Sequence, residues 1–184
     1  MNGTWTNNWR ALKNLYLLGN IEDGMDTLTS YSGSTLPDSL PNLLLRATTP
    51  MGAYSINASD GYNTFRFGSS TQTPSASDYH VISQVDVTKL SVSNEALTYD
   101  KANGIATKTV KCVVQNQTQS PVTLAEWGVL CTIYHYYATG GGGSTYTTDN
   151  VMVYRELFDS PVTLQPYESA VLNLTLTLTL NDPL

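Results

Sequence analysis

Apolar and polar residues alternate along three segments in the C-terminal two thirds of the chain. The strictest alternation lies at 170–180, and shorter runs of the same kind occupy 109–115 and 125–133. A period of two directs one set of side chains into a core and the other set toward solvent. The pattern predicts an all-β fold, a jelly-roll or Ig-like β-sandwich over residues 52–184, preceded by a short N-terminal helix and an extended arm.

Both cysteines fall on the apolar faces of predicted strands. Cys112 lies at the centre of the run at 109–115, and Cys131 shares its face with Trp127. Two inward thiols on adjacent strands could meet, but a chain without a recognisable secretory signal favours reduced cysteines that fill the core. In the same strand as Cys131, Glu126 is expected on an outer, half-exposed face.

One amphipathic helix is predicted near the N-terminus. Apolar residues recur there at spacings of three and four, at Trp9, Leu12 and Tyr16, and another tryptophan, Trp5, precedes them. Such spacing places these residues along one face of an α-helix. The face has two interpretations: it packs on the chain's own domain, or it docks on a neighbouring subunit.

An extended arm is predicted after the helix, so that residues 1–51 form a unit distinct from the sandwich. The periodicity is lost after residue 20, three prolines interrupt the stretch, and three consecutive leucines form an isolated apolar group. Connections of this length without regular structure are uncommon inside a compact domain, so we expect the arm either to be fixed against a partner or to be partly disordered when the protein is alone. The candidate interface residues of the helix and arm are Trp5, Trp9, Leu12, Tyr16, Leu43, Leu44 and Leu45.

A long hairpin with a glycine-rich tip is predicted at 134–158. Four consecutive glycines at 140–143 supply the tip, and tyrosines are concentrated on both sides of it. Tyrosine provides a large contact area with few rotatable bonds, which suits an exposed binding loop for a carbohydrate or a host receptor. In the other interpretation, alternate tyrosines fill the end of the core. The tyrosines concerned are Tyr134, Tyr136, Tyr137 and Tyr146.

The charge composition argues against two classes of partner. Only 13% of the 184 residues are charged, the formal net charge is −6, and the lysines and arginines form no cluster. Phosphate-binding surfaces need concentrated positive charge, so we expect no nucleic-acid partner. The longest leucine-rich stretch alternates with threonine and falls short of the ~18 apolar residues that span a bilayer, so we expect no membrane insertion.

The sequence contains no recognisable catalytic or metal-binding motif. The two histidines, His80 and His135, lie outside any nucleophile motif, and the glycines at 140–143 lack the lysine of a phosphate-binding loop. The turn at 100–104 lacks the remaining ligands of a calcium site. We expect a non-enzymatic protein with no cofactor and no metal. The carboxylates expected to be solvated or locally paired are Glu126, Glu156 and Glu168.

The pentapeptide Ser-Pro-Val-Thr-Leu occurs twice, at 120–124 and at 160–164. In each copy a proline ends one strand and a short Val-x-Leu strand follows it. We predict that the two copies lie at equivalent corners of the sandwich, where strands change sheets. Chance repetition in a chain rich in serine and threonine is the other explanation.

Four short stretches, in a fixed order along the chain, carry a recognisable pattern. Asn7-Asn8-Trp9 comes first, and 65–79 follows as a strand, a Gly/Ser/Thr turn, Thr-x-Pro and Asp-Tyr. Glu126-Trp127-Gly128-Val129 is the third stretch, and Tyr154-Arg155-Glu156 leads to Pro-Val-Thr-Leu-Gln-Pro at 161–166. The match extends over most of the chain, and its four stretches resemble the accessory virion proteins of tailed phages and prophages.

The resemblance implies a β-sandwich that assembles with many copies of other structural proteins, and it implies no catalytic residues. We therefore expect a non-enzymatic bacteriophage virion protein, a homo-oligomer that assembles in the host cytoplasm and resides in the virion. A capsid decoration or stabilising protein bound to the major capsid protein is the preferred role. The other expectations are a tail, neck or fibre-attachment component bound to a tail protein, and a carbohydrate- or receptor-binding module on the virion.

Overall fold

Two antiparallel sheets and one N-terminal helix make up the described part of the chain, which confirms the all-β, sandwich-like fold. The structure is a computed structural model that describes residues 3–18, 28–36, 65–138 and 144–179; it gives the backbone alone for 13–18, 94, 96, 132–138 and 144–148. Outside the described residues lie the predicted strand at 53–56, the boundary between residues 51 and 52, Leu43 to Leu45, and the glycines at 140–143.

Within the described residues the sandwich contains eight strands and one helix. They are β1 (Thr4–Trp5), α1 (Asn7–Leu18), β2 (Phe65–Gly68), β3 (Gln84–Val85), β4 (Thr88–Asp100), β5 (Ile105–Gln115), β6 (Val122–Ala138), β7 (Ser144–Leu164) and β8 (Ser169–Thr179). The larger sheet has the order β1-β7-β6-β2-β3, and the smaller sheet has the order β4-β5-β8.

The main core lies between the inner faces of the two sheets. In β5, Val110, Cys112 and Val114 are buried. In β8, buried leucines alternate with exposed residues from Val171 to Thr175. Both strands confirm the predicted alternation, because only one face of the smaller sheet meets the core. The larger sheet contributes Phe65, Phe67, Trp127, Val129 and Tyr154 to the same cluster.

β6 is buried on both faces, so the expectation that Glu126 lies on a half-exposed face is wrong. Every residue from Leu124 to Leu130 is buried. The inner face of β6 meets the core, whereas its outer face is covered by the long connection between β2 and β3. Val81 of that connection and Tyr31 form a second apolar cluster on this outer surface. The outward positions of β6 include glycine and glutamate, so the sequence pattern does not show that this second face is also covered.

The two cysteines belong to different sheets, so the expectation that they lie on adjacent strands is wrong. Cys112 is on β5 of the smaller sheet, and Cys131 is on β6 of the larger one. Neither is in a disulfide, and both pack in or against the core, as predicted. Burial raises the pKa of each thiol to about 11, which keeps both protonated at neutral pH.

The two copies of the repeated pentapeptide pair with each other. Thr123 is opposite Thr163 in the β6–β7 ladder, and their hydroxyl oxygens are 3.1 Å apart. Next to the three paired positions, β7 contains four residues between the partners of Leu124 and Glu126, where β6 has one. The copies therefore form one two-fold ladder within a single sheet, and not the separate corners that the sequence suggested.

The predicted N-terminal helix is present as α1, a 12-residue helix. Its first turn begins at Thr6, whose carbonyl accepts the N–H of Arg10 at 3.3 Å. Ala11 and Leu12 are buried in the main core. Among the residues that the structure describes, no helix is long and apolar enough to cross a membrane.

Candidate functional site

Arg155 is the centre of a buried ionic cluster on the outer face of the larger sheet. Its side chain is 0% exposed. Nε donates to Glu126 Oε2, and Nη1 donates to Asp78 Oδ2 at 2.8 Å. Nη2 donates to the carbonyl of Gln72 at 2.9 Å. Every nitrogen of the guanidinium group is therefore bonded to an acceptor, one on β6 and two in the connection between β2 and β3.

The register of three neighbouring strands builds this cluster. On β7, Arg155 is opposite Gly128 of β6; on β6, Glu126 is opposite Gly68 of β2. A Cβ atom on Gly68 would lie 2.3 Å from Glu126 Oε1, so the carboxylate occupies the space that a larger residue would fill. Glycine in a strand allows such a close approach.

The connection between β2 and β3, residues 69–83, is attached to the sheet through this cluster. It supplies both the carbonyl of Gln72 and the carboxylate of Asp78. Asp78 Oδ2 also accepts the N–H of Ser75 at 2.8 Å, which fixes the carboxylate within its own loop. Arg155 thus holds a 15-residue connection against β6 and β7 by charge-assisted hydrogen bonds, the strong class of such bonds.

The first turn of α1 joins the same region. The N–H of Asn7 donates to the carbonyl of Ala76 in the connection at 2.7 Å. The side-chain amide of Asn8 donates to the carbonyl of Met152 on β7 at 3.2 Å. That part of β7 is irregular, because Val153 is an extra residue in its ladder with β6. A bulge leaves backbone groups without ladder partners, and the helix start supplies a donor for one of them.

Burial dominates the ionisation of Glu126. Loss of solvent raises the pKa of its carboxyl above 4.5, and this effect exceeds the lowering by the hydrogen bond and charge of Arg155. The guanidinium group of Arg155 is in direct contact with the carboxyl and opposes this shift. The cluster therefore combines one guanidinium group with two carboxyl groups, and the charge on Glu126 depends on pH.

We expect the free energy of unfolding to depend on pH because Glu126 titrates. Because the folded-state pKa of Glu126 is raised, the stabilisation from its proton is complete below about pH 4.5 and is lost as the pH rises through the folded-state pKa. Relative to Glu126→Gln, the free energy of unfolding of the wild type should fall across this interval. Denaturant titrations at a series of pH values measure the difference, and parallel profiles for the two proteins would contradict it.

A side chain at residue 68 should disturb the cluster. The Cβ of an alanine there would meet Glu126 Oε1 at 2.3 Å and the carbonyl oxygen of Ile82 at 2.5 Å. The carbonyl belongs to the backbone and has little freedom to move. We expect Gly68→Ala to lower the free energy of unfolding by about 1–3 kcal/mol, measured by urea denaturation. Ser69→Ala, at the exposed neighbouring position, is the control and should change it by less than about 0.5 kcal/mol.

The candidate interface residues at the N-terminus lie against the chain's own domain. Leu12 is 2% exposed, and Trp5 and Trp9 are half-buried with ring centroids 4.8 Å apart. Trp5 Nε1 donates to the carbonyl of Thr177 on β8 at 2.9 Å, which links the two sheets. Leu12 therefore packs on the chain's own domain, which is the first of the two interpretations of the helix. Docking of the two tryptophans on a partner stays a prediction, and Tyr16 is described by its backbone alone.

The predicted long hairpin is present as β6 and β7, which pair as far as Ala138 and Ser144. In this register Tyr136 is opposite Tyr146. The other two tyrosines of the predicted binding loop have threonine partners: Tyr134 is opposite Thr148, and Tyr137 is opposite Thr145. One pair of the four tyrosines is therefore directly paired in the ladder.

Two of the three carboxylates that were expected to be solvated or locally paired have a local partner. The hydroxyl of Tyr154 donates to Glu156 at 3.0 Å, and Glu168 accepts the N–H of Gln165 at 2.6 Å. For Glu126 the prediction is wrong, because this carboxyl is fully buried and its partner, Arg155, is 29 positions away. The burial of Glu126, however, makes its pairing far more consequential than that of the exposed Glu168.

The remaining candidates for chemistry are ordinary structural features. In the turn after β4, Asp100 accepts the N–H groups of Ala102 and Asn103, so its oxygens are used within the turn. His80 stacks on Tyr79, with ring centroids 4.4 Å apart. Within the described ranges, no group of three or more histidine, cysteine, aspartate or glutamate side chains is placed to hold a metal ion.

Sequence reasoning did not identify Arg155 and Asp78 as members of one site. A weak signal exists, because charged residues are only 13% of this chain and Arg155 stands directly after a run of apolar residues in β7. A charge inside an apolar strand needs a partner, but the partner lies 77 positions away in the sequence. Such a pair is visible only once the strand order is known.

No protein-family model, no curated protein and no solved structure matches this chain.

Proposed function

We propose that this protein is a non-enzymatic structural component of a bacteriophage virion, and that it decorates and stabilises the capsid by binding to the major capsid protein. One observation carries the proposal: the four stretches that resemble accessory virion proteins meet at one place in the fold. Three of them supply the charged members of the ionic cluster, Asp78, Glu126 and Arg155. The fourth contacts them through the bond from Asn7 to Ala76.

The convergence gives the sequence pattern a physical reason. A buried arginine needs acceptors for its nitrogens, and a buried carboxylate needs a cation and space beside it. Arg155, Glu126 and Gly68 meet these needs for one another, although they lie on three different strands. Four stretches that matched a pattern by coincidence would have no reason to form one cluster. That they meet in the fold supports the interpretation that the resemblance extends over the whole chain.

The same cluster suits a lattice subunit. It fixes the connection at 69–83 on the larger sheet through two bonds from the fully buried Arg155. A surface whose loops are held in one conformation loses little conformational entropy when it binds, which favours repeated contacts in an assembly. The recognition surface that we propose therefore lies on a rigid sandwich, and it binds a partner without catalysing a reaction.

Copy number in purified particles tests the proposal. Gradient-purified virions from the source, analysed by quantitative mass spectrometry, give the ratio of this protein to the major capsid protein. A capsid decoration protein should be present in a number of copies on the order of hundreds, in keeping with lattice symmetry. About six or twelve copies would move it to the neck, tail or fibre attachment. Absence from the particle would refute a virion role.

A test of attachment through the N-terminal helix requires a point substitution and not a deletion. Removal of residues 1–50 would also remove β1 and the buried side chains of Leu12, Leu28 and Leu36, so lost attachment and lost folding would look alike. Trp9→Ala is a smaller change at a half-buried position. A lower copy number in particles at unchanged thermal stability would support docking through this face, and an unchanged copy number would contradict it.

A second candidate function is a carbohydrate- or receptor-binding module on the virion. The register favours it, because Tyr136 and Tyr146 are opposite each other near the end of the long hairpin. The double variant Tyr136→Ala and Tyr146→Ala should then reduce binding to a glycan array or to host cells without changing particle assembly. Thr145→Ala on the same strand is the control, and equal binding by wild type and double variant would exclude this role.

A further inference from the structure

The free edges of the two sheets differ strongly in length and regularity. The edge strands β1 and β3 have two residues each. The edge strand β4 has 13 residues, but two register shifts interrupt its ladder and it carries Lys89, Glu95 and Asp100. The edge strand β8 pairs with β5 at all 11 of its positions without a shift, and it contains no charged residue, proline or glycine.

A strand such as β8 is exposed to pairing with another strand. Edge strands present unpaired N–H and C=O groups, and proteins block them by shortness, bulges, lysine or proline. The other three edges of this sandwich carry such features, whereas β8 carries none. Among the described residues, β5 is the only strand that pairs with β8. We propose that the free edge of β8 is an interaction surface, and that its partner is β8 of a second copy of this chain.

The bond from Trp5 indicates which part of the edge is open. Residues of an antiparallel strand alternate between those whose backbone groups point to one neighbour and those whose groups point to the other side. Trp5 Nε1 donates to the carbonyl of Thr177, which marks Thr177 as a residue whose backbone points away from β5. Asn173 has the same parity, so its N–H is directed to the free side. Trp5 covers the edge at Thr177, and the stretch 169–175 is left for pairing.

The open stretch is complementary to itself. In an antiparallel pair with its two-fold axis at Leu172, Ala170 of one copy is opposite Leu174 of the other, and Val171 is opposite Asn173. Buried residues thus continue a buried face, exposed residues continue an exposed face, and no like charges meet. Val171, which is 54% exposed, gains a neighbour in the pair. The product is a closed two-fold dimer with a continuous six-stranded sheet.

Sedimentation velocity of the purified full chain tests the proposal, independently of the virion role proposed above. The wild type should sediment as a dimer of the 20.1 kDa chain. Asn173→Pro removes the outward N–H and leaves the bonds to β5 intact, and Asn173→Lys places a charge on the edge without a backbone change. Each should raise the dimer dissociation constant by about tenfold or more. Ser91→Lys, at an exposed position on the opposite edge strand β4, should leave it unchanged.

A covalent test fixes the register. In the double variant Val171→Cys and Asn173→Cys, each new thiol is opposite the other one in the second copy, so mild oxidation should give a disulfide-linked dimer on a non-reducing gel. The native thiols react slowly, because burial raises their pKa to about 11. A monomeric wild type, an assembly larger than a dimer, a dimer that persists in both Asn173 variants, or one that Ser91→Lys also dissociates would overturn the proposal.

Discussion

Arg155→Met should lower the free energy of unfolding by about 3–5 kcal/mol, the largest effect that we expect from a single substitution in this protein. The reason is the loss of a cation that bonds Glu126, Asp78 and Gln72 from a fully buried position. Methionine has a similar volume but no charge, so the carboxylate of Glu126 would stay buried without its partner. Urea denaturation of the purified protein measures the change.

A double-mutant cycle separates this pairing from simple loss of packing. Glu126→Gln alone should cost about 1–3 kcal/mol, because Arg155 keeps its bonds to Asp78 and Gln72. The combination of Arg155→Met with Glu126→Gln should cost less than the sum of the two single changes, because neither charge is then left unpaired. Additive costs would contradict the cluster. Arg10→Met is the matched control on exposed helix surface, and we expect it to stay within about 0.5 kcal/mol of the wild type.

The same substitution should loosen the connection at 69–83. Amide hydrogen exchange of this segment should become faster in Arg155→Met, because the bonds from Arg155 to Gln72 and Asp78 attach it to the sheet. Exchange in β5 and β8, which lie in the other sheet, should change only through the overall loss of stability. Uniform acceleration throughout the protein would show that the arginine has no special role in holding the connection.

The fold class was predictable because the information is local. From Val110 to Val114 in β5 and from Leu172 to Leu176 in β8, each inward residue is apolar and each outward residue tolerates water, so a period of two appears directly in the sequence. The burial of the outer face of β6, by contrast, was not predictable. Glu126 and Gly128 resemble solvent-facing residues, yet the connection at 69–83 covers them. Local periodicity cannot report which loop folds back over a sheet.

The candidate site was not predictable for the same reason. Its members are separated by dozens of residues, and each of them has an ordinary local interpretation as a turn aspartate, a strand glutamate or a surface arginine. What makes them a site is the register of β2, β6 and β7, which no short stretch encodes. The resemblance included all three charged residues, but it gave no indication that they touch. The strand pairing supplies that relationship.

Leu12→Ala should lower the free energy of unfolding by about 2–5 kcal/mol, the range for truncation of a buried leucine. Leu12 is 2% exposed and packs in the main core together with Ala11. Just before the helix, the hydroxyl of Thr6 donates to the carbonyl of Met152 at 2.6 Å, so α1 is attached to β7 at its start. The cavity left by alanine would have little freedom to collapse.

This prediction decides between the two interpretations of the N-terminal helix. Leu97→Ala is the matched control, because Leu97 is 69% exposed and the same truncation there should cost less than about 0.5 kcal/mol. If Leu12 served chiefly to dock on a neighbouring subunit, its truncation would leave the isolated protein as stable as the Leu97 variant and would weaken assembly alone. A large loss of stability in the purified protein would show that α1 is part of the fold, and would restrict any docking role to the half-buried Trp5 and Trp9.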